Sequence, residues 1–162
     1  MRKAILILVL ISMVSTASAD KLFRSDRFEF YTPDNWHCET AEGDYIKAAR
    51  KERTRTVESF SVRELVTDHW PEAPEEIADL IREETGQSFE EWEELEIDGQ
   101  KTVIIFRTGP MNSIIAQSTL NAGECHASIL YISVNGNGSK ENFLNILKTM
   151  AVRGQNSATP SE

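Results

Sequence analysis

A chain of 162 residues with 26 acidic and 17 basic side chains carries a formal net charge of −9. That balance argues against any general electrostatic affinity for nucleic acid or anionic lipid. With 40% apolar residues the chain is not a disordered polyanion either, and its length suits one domain with one core.

The chain opens on MRKAILILVLISMVSTASA, where Arg2 and Lys3 precede an apolar run from Ala4 to Val14 and Ala17, Ser18 and Ala19 close the segment. This is the pattern of a secretory signal peptide, with cleavage expected between Ala19 and Asp20. The apolar run falls short of the roughly 20 residues that a membrane span needs, and no later segment approaches that length. Cleavage takes Arg2 and Lys3 away and leaves 143 residues with a formal charge of −11. The protein is therefore expected to be exported, periplasmic or extracellular, with no membrane span after cleavage.

In RFEFYTPDNWHCE, Phe28 and Phe30 alternate with polar residues until Pro33, which reads as a strand entering a turn. DYIKAARKER and VESFSVRELV follow as two further strands. The clearest helix spans Pro74 to Thr85. Pro74 suits a first turn, Glu75 and Glu76 favour the positive end of the dipole, and Gly86 stops the helix. Ile77, Leu80 and Ile81 form its apolar stripe.

EEWEELEIDGQKTVIIFRT then reads as a hairpin, with Asp98 and Gly99 supplying the positive φ angles of a two-residue turn. Val103, Ile104, Ile105 and Phe106 are apolar on both faces of their strand, as is most of ASILYISV from Ala127 to Val134, so both strands are expected to be covered on two sides. NSIIAQSTL supplies a strand between them, and Asn121 to Glu124 a turn. Ser139 caps a closing helix that presents Phe143, Ile146, Leu147 and Met150 on one face. The polar residues 154–162 are expected to be a disordered tail.

These elements predict a single α+β domain over residues 20–153, in which an antiparallel β-sheet is covered by helices on both faces. The spacing Phe28-x-Phe30-x-x-Pro33-x-x-Trp36, a mid-chain helix, an antiparallel meander and a closing helix with Phe143, Ile146 and Leu147 resemble the PsbP-like fold. That fold is shared by an extrinsic photosystem II subunit, the Ran guanine-nucleotide release factor and small bacterial secreted proteins. The likeness covers about Phe28 to Val152 and implies an accessory protein that binds a partner without catalysis.

Two cysteines, Cys38 and Cys125, each adjoin a histidine, His37 and His126. In an oxidising compartment a Cys38–Cys125 disulfide is the expected pairing, closing a loop of 87 residue steps. The chain-entropy account credits such a loop with about 4–5 kcal/mol. The competing reading is two buried free thiols, and a weaker alternative is a zinc or copper site built from His37, Cys38, Cys125 and His126. Adjacent residues of a strand point to opposite faces, which disfavours that set.

From Glu75 to Asp98 there are eleven acidic residues against Arg82 alone, while Lys47, Arg50, Lys51, Arg53, Arg55 and Arg63 form a basic stretch. This segregation makes Glu90, Glu91, Glu93, Glu94, Lys47, Arg50 and Arg53 the candidate partner surface. The competing reading is two solvated faces that partly neutralise each other. The acidic run lacks the Asp-x-Asp-x-Asp-Gly pattern of a calcium loop. In NGNGSKEN, Gly136 and Gly138 precede the Ser139 cap and read as a flexible turn. Asn137-Gly138-Ser139 also matches a glycosylation sequon.

No Gly-x-Ser-x-Gly, His-Glu-x-x-His or P-loop motif occurs, and three histidines leave few general bases. Trp36, Trp70 and Trp92 read as packing residues. The functional expectation is a non-catalytic exported accessory or binding domain that engages a protein partner through a charged surface, with no cofactor. A small-ligand or metal-ion binding protein is the alternative, and a hydrolase without a recognisable motif is the third reading.

Overall fold

A computed structural model describes residues 20–153 except Asp26 and Glu90. The expected signal peptide at 1–19, the expected tail at 154–162 and Glu90 of the candidate surface lie outside the described residues. In chain order the elements are β1 (Lys21–Arg24), β2 (Phe28–Thr32), β3 (Trp36–Glu42), β4 (Tyr45–Glu52), β5 (Arg55–Val66) and α1 (Pro74–Thr85). There follow β6 (Glu93–Ile97), β7 (Gln100–Gly109), β8 (Ser113–Asn121), β9 (Cys125–Ser133), α2 (Lys140–Leu147) and β10 (Ala151–Val152). The strands make a seven-stranded antiparallel sheet of order β3-β4-β5-β9-β8-β7-β6 and a three-stranded sheet of order β1-β2-β10.

Local chemistry sets the clearest joints. The β6–β7 hairpin turns through Asp98 and Gly99 at φ of 51° and 74°, the left-handed pair that an Asp-Gly turn supplies. Helix α1 starts at Pro74 and ends where Gly86, at φ 62°, donates its N–H back to the Arg82 carbonyl. Ser139 caps α2 by accepting the Asn142 N–H on its hydroxyl. Helix α2 stops at Leu147. Met150 therefore lies beyond it, still buried, in the turn that leads to β10.

The main core lies between the large sheet and a layer made of α2 and the small sheet. Phe60 and Tyr131 meet the Phe143 ring of α2 at centroid distances of 6.2 and 5.6 Å, and the Phe30 ring of β2 lies tilted against Phe60 at 4.8 Å. All four rings are fully buried. Each contributes about 1.5–3 kcal/mol by leaving water. On the opposite face Ile77, Ala78 and Ile81 of α1 close over Val103 and Ile105 of β7, while Ile104 points into the main core. Strand β7 is thus two-sided, as its unbroken apolar run predicts.

Helix cover of the second face is partial. Helix α1 rests on β7 and β8, and a helix about 10 Å across spans only two strands at about 4.8 Å spacing. Over β4, β5 and β9 no helix covers that face among the described residues, and Ser59, Leu130 and Ile132 are partly exposed, while Ala49 and Ser61 are buried between the longer side chains. The other face is closed by a small sheet as well as by a helix, because β1 and β10 pair with β2 on its two edges.

Candidate functional site

The strand register decides whether the two cysteines can pair. Cys38 on edge strand β3 lies opposite Ala48, which lies opposite Phe60, which lies opposite Tyr131. Cys125 sits at the far end of β9, opposite Val66. The two are therefore about 14 Å apart across the strands and about 20 Å apart along them. A disulfide needs Cα atoms closer than about 7 Å. Both cysteines are free, Cys38 exposed and Cys125 buried, so the expected bridge is corrected. The same separation prevents His37, Cys38, Cys125 and His126 from ligating one ion. Burial, helped by Glu64, pushes the Cys125 thiol pKa up, which makes it unreactive.

His126 instead points under α1, where its Nε2 pairs with the Glu84 carboxylate and its ring lies 6.0 Å from that of Trp70. This contact ties the helix to the sheet. It uses the histidine as a structural residue.

The basic residues split between the two faces of β4. Lys47 pairs with Glu39 at 2.8 Å and Lys51 with the same carboxylate at 3.1 Å. Thr56 donates its hydroxyl to Glu39 as well. The Lys47 hydrogen bond above all, with those of Lys51 and Thr56, outweighs partial burial and lowers the Glu39 pKa from 4.5 to about 2. Register shifts at Cys38/Thr40 and Arg50/Lys51 put Glu39, Lys47 and Lys51 on the open face, together with Ser59, Ser61 and Arg63. Arg63 lies over the Tyr45 ring at 5.3 Å. Arg107 of β7 donates to Gln117 of β8 at 3.0 Å and joins this face from the other side. Ile115, Leu130 and Ile132 lie between the two groups of cations. Glu42 stands at the rim opposite Tyr45.

Arg50 points the other way. It donates from Nε to Oε2 of Glu58 at 2.5 Å, from Nη1 to Glu52 at 2.9 Å and from Nη2 to the Asn137 carbonyl at 3.0 Å. Burial works against its charge, but the hydrogen bonds to Glu58 and Glu52 prevail and raise its pKa. Glu58, only 2% exposed, also accepts from Tyr131 Oη and from Asn142 Nδ2. Burial, then the Glu58 hydrogen bond, raises the Tyr131 pKa and keeps the phenol neutral. Gly138 passes so close that a Cβ there would lie 2.1 Å from Tyr131 Oη and 2.6 Å from Glu58 Oε1. The glycine-rich turn therefore serves close packing. This network floors a cavity of about 410 Å³ between α2, the β2–β3 turn and the large sheet.

Of the remaining candidate residues, Arg53 stands exposed at the β4–β5 turn with φ 57°. Glu91, Glu93 and Glu94 are exposed on and before edge strand β6, and Glu93 pairs with Lys140. Strand β6 is five strands from β4, about 24 Å away. The acidic residues on and before β6 and the basic residues of β4 therefore occupy opposite ends of the sheet, whereas α1 carries Glu84 to His126 on β9. Lys47 and Lys51 are balanced locally by Glu39, and the acidic run does not reach them. The Arg50–Glu58–Tyr131–Asn142 network was not anticipated. Its signal was present in the strand pattern, since Glu58 shares inward parity with Phe60 and Val62, and Arg50 with Ile46 and Ala48.

No family model matches the chain, and no curated protein matches it in sequence. Its fold does have solved counterparts, and they show that it is the PsbP-like fold. A cyanobacterial PsbP from Synechocystis sp. PCC 6803 superposes at a TM-score of 0.58 with 13% identity, over 86% of this chain and 95% of that one. The Ran-binding protein Mog1p of Saccharomyces cerevisiae does so at 0.56 with 10% identity, over 84% and 96%. A protein of Bacteroides thetaiotaomicron gives 0.53 with 9% identity over 83% of this chain, which spans about half, 48%, of that longer one. At these identities the likeness is one of fold alone.

Proposed function

We propose that the chain is an exported, non-catalytic binding domain that engages an acidic, amphipathic segment of a protein partner through the open face of its large sheet. The observation that carries this reading is the sign of that face. On a chain of net charge −9, Lys47, Lys51, Arg63 and Arg107 gather around Ile115, Leu130 and Ile132, against Glu39 and Glu42 on the sheet and Glu84 of α1, which is engaged by His126. A partner helix with carboxylates along its flanks and apolar residues beneath completes on β4, β5 and β9 the cover that α1 gives β7 and β8. Opposite charge speeds and orients such an encounter, and the apolar strip supplies area. Binding of Ran by the yeast counterpart fits an accessory role for this fold, and the MRK…ASA segment supports export.

Two measurements test the reading. N-terminal sequencing of protein from the envelope fraction is expected to start at Asp20; intact protein retained in the cytoplasm contradicts export. Wild-type protein on a resin is expected to retain a partner from envelope extract at low salt and to release it as salt rises. A Lys51→Glu/Arg63→Glu variant is expected to retain none of it. Equal retention by that variant contradicts the basic face as the docking site.

A further inference from the structure

On the other side of the sheet, the cavity above Arg50 and Glu58 has the chemistry of a ligand site separate from the basic face. Its floor carries cancelling charges, since the Arg50 guanidinium is engaged by the Glu58 carboxylate. Asp20 adds a further carboxylate to the lining and, after the expected cleavage, the α-ammonium of the new N-terminus, so these charges again cancel and favour neither an anion nor a cation.

The remaining polar lining is neutral and two-way. Asn35 and Asn145 make no side-chain hydrogen bond among the described residues, so each offers an amide donor and a carbonyl acceptor, and both are exposed. Asn142 spends Nδ2 on Glu58 and keeps Oδ1. Arg50 has five N–H donors, three of them engaged, which leaves two. Tyr31, 39% exposed, supplies aromatic wall beside these groups, and the edge of the buried Trp36 closes the pocket beneath it. An array of paired donors and acceptors next to aromatic carbon matches vicinal hydroxyls on a ring whose C–H face is apolar. The volume of about 410 Å³ is within the range for small-molecule sites and suits one or two sugar rings.

We propose that this pocket binds a neutral saccharide of one or two rings, with Asn35, Asn142, Asn145 and Arg50 reading its hydroxyls and Tyr31 packing on its C–H face. The test is a ¹H–¹⁵N titration of the full chain, without its leader, with N-acetylglucosamine, chitobiose, maltose and cellobiose in separate arms. Glucuronate serves as an anionic arm. At least one neutral sugar is expected to give saturable shifts at the side-chain amides of Asn35, Asn142 and Asn145 and at the Trp36 indole. Tyr31→Ala and Asn145→Ala, both at exposed positions, are each expected to keep the thermal melt and to weaken binding about fivefold to tenfold.

Absence of saturable shifts in all four neutral arms overturns the proposal. So do shifts that map to another region, variants that bind as well as the parent, or glucuronate binding at these residues more tightly than any neutral sugar. Charge reversal on the opposite face leaves these shifts unchanged, so failure of partner docking and failure of the sugar site are read separately.

Discussion

Arg50 of β4 and Glu58 of β5 face each other across the strand pair, Nε to Oε2 at 2.5 Å, with both side chains largely removed from solvent. Glu58→Ala leaves the guanidinium without its main counter-charge and Tyr131 and Asn142 without an acceptor. Breaking a buried pair in this way is expected to cost about 3–5 kcal/mol. Replacing both partners, with Arg50→Met and Glu58→Leu, is expected to cost clearly less, because no charge is stranded. Urea unfolding of the three proteins checks the order.

Gly138 is constrained by space and Gly136 by its backbone. An alanine at 138 puts its Cβ within 2.6 Å of Glu58 Oε1 and Ser133 Cβ and closer still to Tyr131 Oη. Overpacking of this kind is expected to destabilise by about 1–3 kcal/mol. Gly136 has φ +70° and open surroundings, so Gly136→Ala carries only the left-handed penalty of about 1–2 kcal/mol. Tyr131→Phe, by removing Oη, is expected to recover part of the Gly138→Ala loss and none of the Gly136→Ala loss. A double-mutant cycle by thermal or urea unfolding measures this coupling.

Glu39 gives the basic face a pH dependence of known sign. Its folded pKa of about 2 lies below the ordinary 4.5, so the carboxylate stabilises the fold above about pH 4.5. That contribution is lost as pH falls from 4.5 toward 2, when the proton displaces Lys47 and Lys51. Partial solvent exposure limits its size to on the order of 1 kcal/mol. Glu39→Gln is expected to be less stable than the parent at pH 7 and equal to it near pH 2, as followed by urea midpoints.

The thiols offer a direct check on the register. Ellman's reagent is expected to titrate one thiol rapidly in the native protein, Cys38, and both after unfolding without reductant. Reducing agent is expected to leave the melt unchanged. A protein with no titratable thiol when unfolded contradicts the separation of the two cysteines.

Elements fixed by short-range chemistry were legible in advance. The Asp98-Gly99 turn, the Pro74 start, the Gly86 stop and the Ser139 cap each act within a few residues, and each lies where its sequence signal put it. The small sheet was not legible, because β1 and β10 have four and two residues and exist only by pairing with β2. Sequence distance also misled the reading of the cysteines. Their spacing measures loop entropy, whereas bridging depends on a register set by four strands. The buried network joins residues 8, 73 and 84 positions from or to Glu58, and only the inward parity of two opposite charges on adjacent strands announced it.

The central claim, docking of an acidic partner segment on the open face, is tested most directly by site-specific photo-crosslinking in envelope preparations. A photoreactive residue at Ser59, in the middle of the face, is expected to capture one protein through an acidic, amphipathic segment identified by mass spectrometry. Lys51→Glu/Arg63→Glu in the same chain is expected to abolish that product. Capture of a partner from Glu94 on the acidic edge, with none from Ser59, contradicts the account.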